Sequence, residues 1–257
     1  MLKLFSRKKA QRNLRPTIDV VSSEAVRNAA NTLLANIEFS SVDEPVRTVA
    51  ITSAIPNEGK STIALSLAAA AGQAGKSVLV MEGDLRRRSL RAVLNAHPQH
   101  GLHAVLTGAC TLVEAAVETP LKGVVFLDAE PGIPNPEEIL SSKRYAALIL
   151  EARDSYDLVI IDTPPVGAFA DAAVVARQVD GALLVVRENF TDKRDAQLAM
   201  TQLRASSAHV LGIVMNCEER ASGGGYGYYY GYYYDERRVA ADSPEARRAM
   251  AAEEAGK

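Results

Sequence analysis

Apolar residues in this chain gather into short unbroken runs, with longer stretches of helical spacing between them. The runs lie at 46–52, 77–81, 124–127, 158–161, 182–186 and 210–214, and each is rich in Val, Ile or Leu. Helical periodicity covers residues 60–74, 136–152, 170–178 and 192–205. Runs that are apolar throughout belong to strands buried on both sides, and their alternation with helices predicts a parallel sheet with helices on both faces. Crossovers in such a fold are right-handed, and ligands sit at the carboxyl ends of the strands. The unusual residues of this chain collect at those ends.

At 257 residues the chain has room for one large domain with appendages. Its formal net charge of −2 argues against nucleic acid as a partner, since a bulk nucleic-acid binder carries a strong basic excess. An apolar share of 47% and a charged share of 23% suit a globular core. No apolar run approaches the ~18 residues that span a bilayer, and the opening MLKLFSRKKAQRNLR has no apolar leader segment. The expectation is a cytoplasmic α/β protein. Cys110 and Cys217 stand far apart without a CxxC, which predicts neither a disulfide framework nor a zinc site.

The chemistry begins after the first strand. Ala54-Ile-Pro-Asn-Glu-Gly59-Lys60-Ser61 is a phosphate-binding loop with alanine at the first glycine position. In such a loop, main-chain N–H groups of Asn57, Glu58, Gly59, Lys60, Ser61 and Thr62 curl around phosphate at a helix N-terminus. Lys60 reaches the β- and γ-phosphates, and the Ser61 hydroxyl is placed to ligate Mg²⁺. ATP and Mg²⁺ are therefore the expected cofactors.

Two further strands end in acids. Tyr156-Asp-Leu-Val-Ile-Ile-Asp162 reads as a Walker B strand, with Asp162 holding Mg²⁺ through water. Val78-Leu-Val-Met-Glu82-Gly-Asp84-Leu-Arg86 supplies a second acidic pair. Glu82 and Asp84 admit two readings: caps for a following helix, or carboxylates that ligate Mg²⁺ and accept a proton from an attacking hydroxyl. The predicted catalytic set is Lys60, Glu82, Asp84 and Asp162, and the metal set is Ser61, Asp84 and Asp162. Arg86 and Asn216 join the loop as nucleotide-binding candidates, Asn216 because it ends the strand LGIVMN. For Asn216 a plain turn or cap role stays open. His97, His100 and His103 lie around Pro98 and Gly101, which break any helix that would align them, so a surface loop is expected.

In ITSAIPNEGKST, VLVMEGDLR and LVIIDTPP the chain resembles the bacterial tyrosine kinases, in which these are the Walker A, A′ and B motifs. NPEEILSSKRYAALI, DAAVVARQVDGALLVVR and LGIVMN extend the similarity over roughly residues 18–234. The resemblance implies a P-loop NTPase fold of the α/β class and an ATP-dependent protein-tyrosine kinase that autophosphorylates a C-terminal tyrosine cluster in trans. It further implies regulation of capsular or exopolysaccharide synthesis with a transmembrane polysaccharide co-polymerase as adaptor, a place at the inner face of the membrane, and a tyrosine phosphatase. Two departures stand out. Glu82 replaces the aspartate that usually opens Walker A′. In the family's E-x-x-R-x-x-R assembly motif, Glu24 and Arg27 find Ala30 at the last arginine place.

The ends of the chain differ from its middle. Residues 1–15 hold six basic side chains and no acidic one, so 1–17 is set apart as a basic segment, 18–217 as the P-loop kinase domain and 218–257 as a tail. Tyr226, Tyr228, Tyr229, Tyr230, Tyr232, Tyr233 and Tyr234 lie in a glycine-rich stretch of no regular period, the expected phosphoacceptors. Seven phosphates would add about −10 to −14 charges, enough to loosen a homo-oligomer in which one tail enters a neighbour's site. Two alternatives remain at this level. One is a Min/Par-type ATPase switch, whose signature loop lysine is Ile55 here. The other is a nucleotide-binding regulator without transferase activity.

Overall fold

The computed structural model describes residues 21, 23–41 and 44–217. Helix α1 (Glu24–Phe39) leads into strand β1 (Thr48–Ser53), helix α2 (Lys60–Gln73) and strand β2 (Val78–Glu82). Three short helices follow, α3 (Leu90–Leu94), α4 (Leu102–Thr107) and α5 (Leu112–Ala115), and then strands β3 (Val117–Glu118) and β4 (Val124–Leu127). Helices α6 (Pro136–Leu140) and α7 (Lys143–Ser155) precede strand β5 (Leu158–Asp162) and helix α8 (Asp171–Ala176). Strand β6 (Gly181–Arg187), helix α9 (Lys193–Ala205) and strand β7 (Val210–Asn216) close the described fold.

The strands form one sheet in the order β3-β4-β2-β5-β1-β6-β7, parallel except where the two-residue β3 runs against β4. The expected α/β sheet is therefore present. Every residue of β1, β2 and β5 is buried, as their continuous apolar composition requires. One face is covered by α1 and α2 through Leu34, Ile37, Leu65 and Leu67, and the other by α7, α8 and α9 through Tyr145, Leu148, Val175 and Leu203. Ala30 is 5% exposed on the packed face of α1, where an arginine side chain would have to be buried. Among the described residues no helix is long and apolar enough to cross a membrane.

The helix expected over 136–152 is two helices. Ser141 ends the first and Ser142 caps the second, the Ser142 hydroxyl accepting from the Tyr145 amide at 3.1 Å. The strand order sets the function: β5 lies between β2 and β1, so the segments after those three strands emerge side by side at one sheet edge.

Candidate active site

The loop from β1 to α2 is shaped by two residues in the left-handed region, Asn57 (φ 69°) and Gly59 (φ 91°). That sequence of torsions is what turns successive main-chain N–H groups toward one point. Gly59 is required for space as well, because a Cβ there would lie 2.1 Å from Asn216 Nδ2. The same Nδ2 donates to the Glu58 carbonyl at 2.8 Å, so β7 fixes the loop from behind. Gly59 then caps α2, whose 14 residues add a positive partial charge at the loop.

The first two residues of α2 face the acids. Lys60 Nζ stands 3.3 Å from Asp162 Oδ1 and 3.6 Å from Asp84 Oδ2. Ser61 Oγ donates to Asp162 Oδ2 at 2.5 Å and lies 3.2 Å from Ser89 Oγ. Burial works against the Lys60 ammonium, but Asp162, Asp84 and Glu82 outweigh it and its pKa is raised. Asp162 is also shifted upward, by burial, with Lys60 and the Ser61 hydrogen bond opposing.

Glu82 does two things at once. It pairs in register with Asp162, and its Oε2 accepts from the Ser89 and Leu90 amides at 2.7 and 3.0 Å, capping α3. Its Oε1 is buried without a hydrogen-bond partner. Burial, then the Asp162 charge, push the Glu82 carboxyl up to about 8. Asp84 is similarly divided, with Oδ1 accepting from the Arg87 amide at 2.8 Å and Oδ2 facing Lys60. Glu82 thus caps α3, while Asp84 closes the turn at Arg87 and faces Lys60.

Two nucleotide-binding candidates have their side chains committed elsewhere. Glu58 is fully buried, with Oε2 accepting from the Ile55 amide at 2.7 Å and Oε1 from the Thr191 hydroxyl, so only its main chain is left to serve the loop. Arg86 forms a two-point ion pair with buried Asp171 at 2.7 and 3.0 Å and lies 4.3 Å over the Phe169 ring. Asn57 is exposed at the loop's tip and Thr62 is half-buried in the first turn of α2. Ser89, Asp171 and Thr191 are the functional neighbours that sequence reasoning missed. Ser89 could have been noticed as a cap-type residue beside the Walker A′ arginines, whereas Thr191 has no local signal. The seven tyrosines expected as phosphoacceptors and the basic segment 1–17 lie outside the described residues. No group of three or more His, Cys, Asp or Glu side chains forms a metal cage among the described residues. His97 and His100 lie in the segment between α3 and α4, as expected, whereas His103 lies in the first turn of α4 and not in a loop.

The comparisons agree with this geometry. A family model described as the AAA domain matches residues 46–188. The tyrosine-protein kinase YwqD of Bacillus subtilis is 39% identical over 197 residues, 77% of this chain and 83% of that protein. The tyrosine-protein kinase etk of Escherichia coli is 32% identical over 82% of this chain, a match to 29% of its own length. The solved kinase domain of that enzyme superposes with a TM-score of 0.72 at 30% identity, covering 86% of this chain and 89% of the domain. MinD of Pyrococcus horikoshii, solved with Mg-ADP, shares the fold at a TM-score of 0.58 and 26% identity, over 68% of this chain and 72% of its own. A sheet edge that gathers a phosphate loop and three acids, on a chain so similar to these enzymes over most of its length, makes this protein a member of the bacterial tyrosine-protein kinase family.

Proposed function

We propose that this kinase uses Mg·ATP to phosphorylate Tyr226, Tyr228, Tyr229, Tyr230, Tyr232, Tyr233 and Tyr234 of a second copy of itself, and acts with a transmembrane co-polymerase to regulate capsular or exopolysaccharide synthesis. The observation that carries the reading is Lys60 held between Asp84 and Asp162, with Ser61 bonded to Asp162, at the mouth of the phosphate loop.

The residues fit both cofactors. The left-handed torsions at Asn57 and Gly59 suit a loop whose amides converge on a phosphate, and one hydroxyl with two carboxylates is an all-oxygen donor set. Such a set suits Mg²⁺, which retains waters and takes phosphate oxygens rather than needing a full protein cage. When bound, Mg²⁺ would neutralise charge on the β- and γ-phosphates. Ser61, Asp84 and Asp162 are the residues that would hold it.

The chain's own part is positioning and charge. Lys60 and the loop amides hold the phosphates in line with an incoming phenol. The tyrosine oxygen bonds the γ-phosphorus as the bond to the ADP oxygen breaks, and the phenolic proton passes to a carboxylate. Asp84 is the acid placed to receive it, since its side chain is 7% exposed while that of Asp162 is fully buried. The adaptor part of the reading is carried by the resemblance to the bacterial tyrosine kinases alone. Mass spectrometry of the full chain after incubation with Mg·ATP, with and without the cytoplasmic segment of a candidate co-polymerase, tests the proposal. Phosphotyrosine confined to residues 226–234 is the expected result, and an unmodified chain under both conditions would overturn it.

A further inference from the structure

Glu58 and Thr191 are separated by 133 residues, yet they join the phosphate loop to the turn that follows β6. The Glu58 carboxylate is 0% exposed, and each of its oxygens has a partner: the Ile55 amide across the loop and the Thr191 hydroxyl. Thr191 is itself fixed. Its Oγ1 accepts from the Arg187 amide at 2.8 Å, and its own amide donates to the Arg187 carbonyl at 3.0 Å. The turn continues to β7, because the Glu188 amide donates to the Asn216 carbonyl at 3.0 Å while Asn216 Nδ2 returns to the Glu58 carbonyl. A closed circuit therefore runs from loop to turn to strand end and back to the loop.

A buried carboxylate is tolerated only with hydrogen-bonding partners, so any opening of the loop that strips Glu58 of Ile55 or Thr191 is disfavoured. We infer that Glu58 and Thr191 form an internal latch that holds the phosphate loop in its nucleotide-ready shape. Glu58 is thus a positioning residue acting through the Ile55 main chain and not a ligand. The inference rests on the nucleotide reading above for its effect on affinity, but not for the latch itself. Preorganising a loop raises affinity by removing the cost of ordering it on binding.

The test uses the full chain with three substitutions, Thr191→Val, Thr191→Ser and Glu58→Ala. The Kd for Mg·ATP is measured by calorimetry, and amide exchange at Ile55 by mass spectrometry or NMR. Thr191→Val keeps the shape and removes the hydroxyl, so it should weaken binding by about tenfold, the worth of one hydrogen bond, and speed Ile55 exchange. Thr191→Ser restores the hydroxyl and should stay within about twofold of the parent on both readouts. Glu58→Ala combined with Thr191→Val should lose no more than Glu58→Ala alone, since the two residues act as one unit. Unchanged Ile55 exchange in Thr191→Val, equal losses in the Val and Ser variants, or additive losses would overturn the latch. A parent chain that binds no Mg·ATP while Ile55 exchange responds as stated would overturn the nucleotide reading and leave the latch standing.

Discussion

Glu82 and Asp162 are paired residues on adjacent parallel strands, and both carboxylates are buried. Two like charges side by side at a sheet edge repel strongly unless a cation or a proton intervenes. Lys60 supplies one positive charge, at 3.3 Å from Asp162, and a proton on Glu82 relieves the remainder. The site is thus arranged to receive cations, and its resting charge balance depends on pH.

That dependence has a definite sign. The Glu82 pKa is about 8 in the folded protein against an ordinary 4.5, so the folded state holds this proton more tightly than the unfolded chain does. Its contribution to stability is fully present below about 4.5 and is lost as pH rises through about 8. Thermal melts of the nucleotide-free protein should show Tm falling between about pH 4.5 and about pH 8, with a flatter profile in Glu82→Gln. Parallel profiles for the two proteins would refute the assignment.

Arg86 should matter to the fold before it matters to nucleotide. Its partner Asp171 is fully buried, so Arg86→Ala strands a carboxylate and should cost about 2–4 kcal/mol of stability, while the neighbouring exposed Arg87→Ala should cost under about 0.5. Chemical denaturation without nucleotide separates the cases. Equal midpoints for the two variants would show that the Arg86–Asp171 pair is not structural.

Gly59→Ala places a methyl on Asn216 Nδ2 at a left-handed torsion. The expected outcome is loss of the Asn216–Glu58 bond and at least about tenfold weaker Mg·ATP binding, on the scale of one hydrogen bond with added backbone strain. Asn216→Ala in the same chain frees the space but not the torsion, so it should recover only part of the affinity. Full recovery would mean that crowding alone made glycine necessary, and unchanged binding in Gly59→Ala would mean that the loop tolerates a Cβ.

The sequence displayed what local pattern can encode. Unbroken apolar runs marked β1, β2, β5 and β6, and glycine with lysine after β1 marked the loop, because each of these depends on neighbours in the chain. The break at Ser141 and Ser142 was readable in principle, since a serine before Lys143 is a cap signal; so was the capping box Thr111-Leu-Val-Glu114 that starts α5. The commitments of Glu58 and Arg86 were not readable. Their partners, Thr191 and Asp171, lie 133 and 85 residues away, and only the strand order brings them together. A polar residue in a motif is easily taken for a ligand when its burial is set by such distant contacts.

The most direct test of the kinase account is a mixing experiment. One chain carries Lys60→Met with its tyrosines intact, and the other carries an intact site with every tyrosine from 226 to 234 changed to Phe. Each is incubated with Mg·ATP alone and then with the other, and phosphotyrosine is read on each chain by intact-mass spectrometry. The account requires phosphate on the Lys60→Met chain only in the mixture. Phosphotyrosine on that chain when incubated alone, or on neither chain in a mixture that binds ATP, would contradict it.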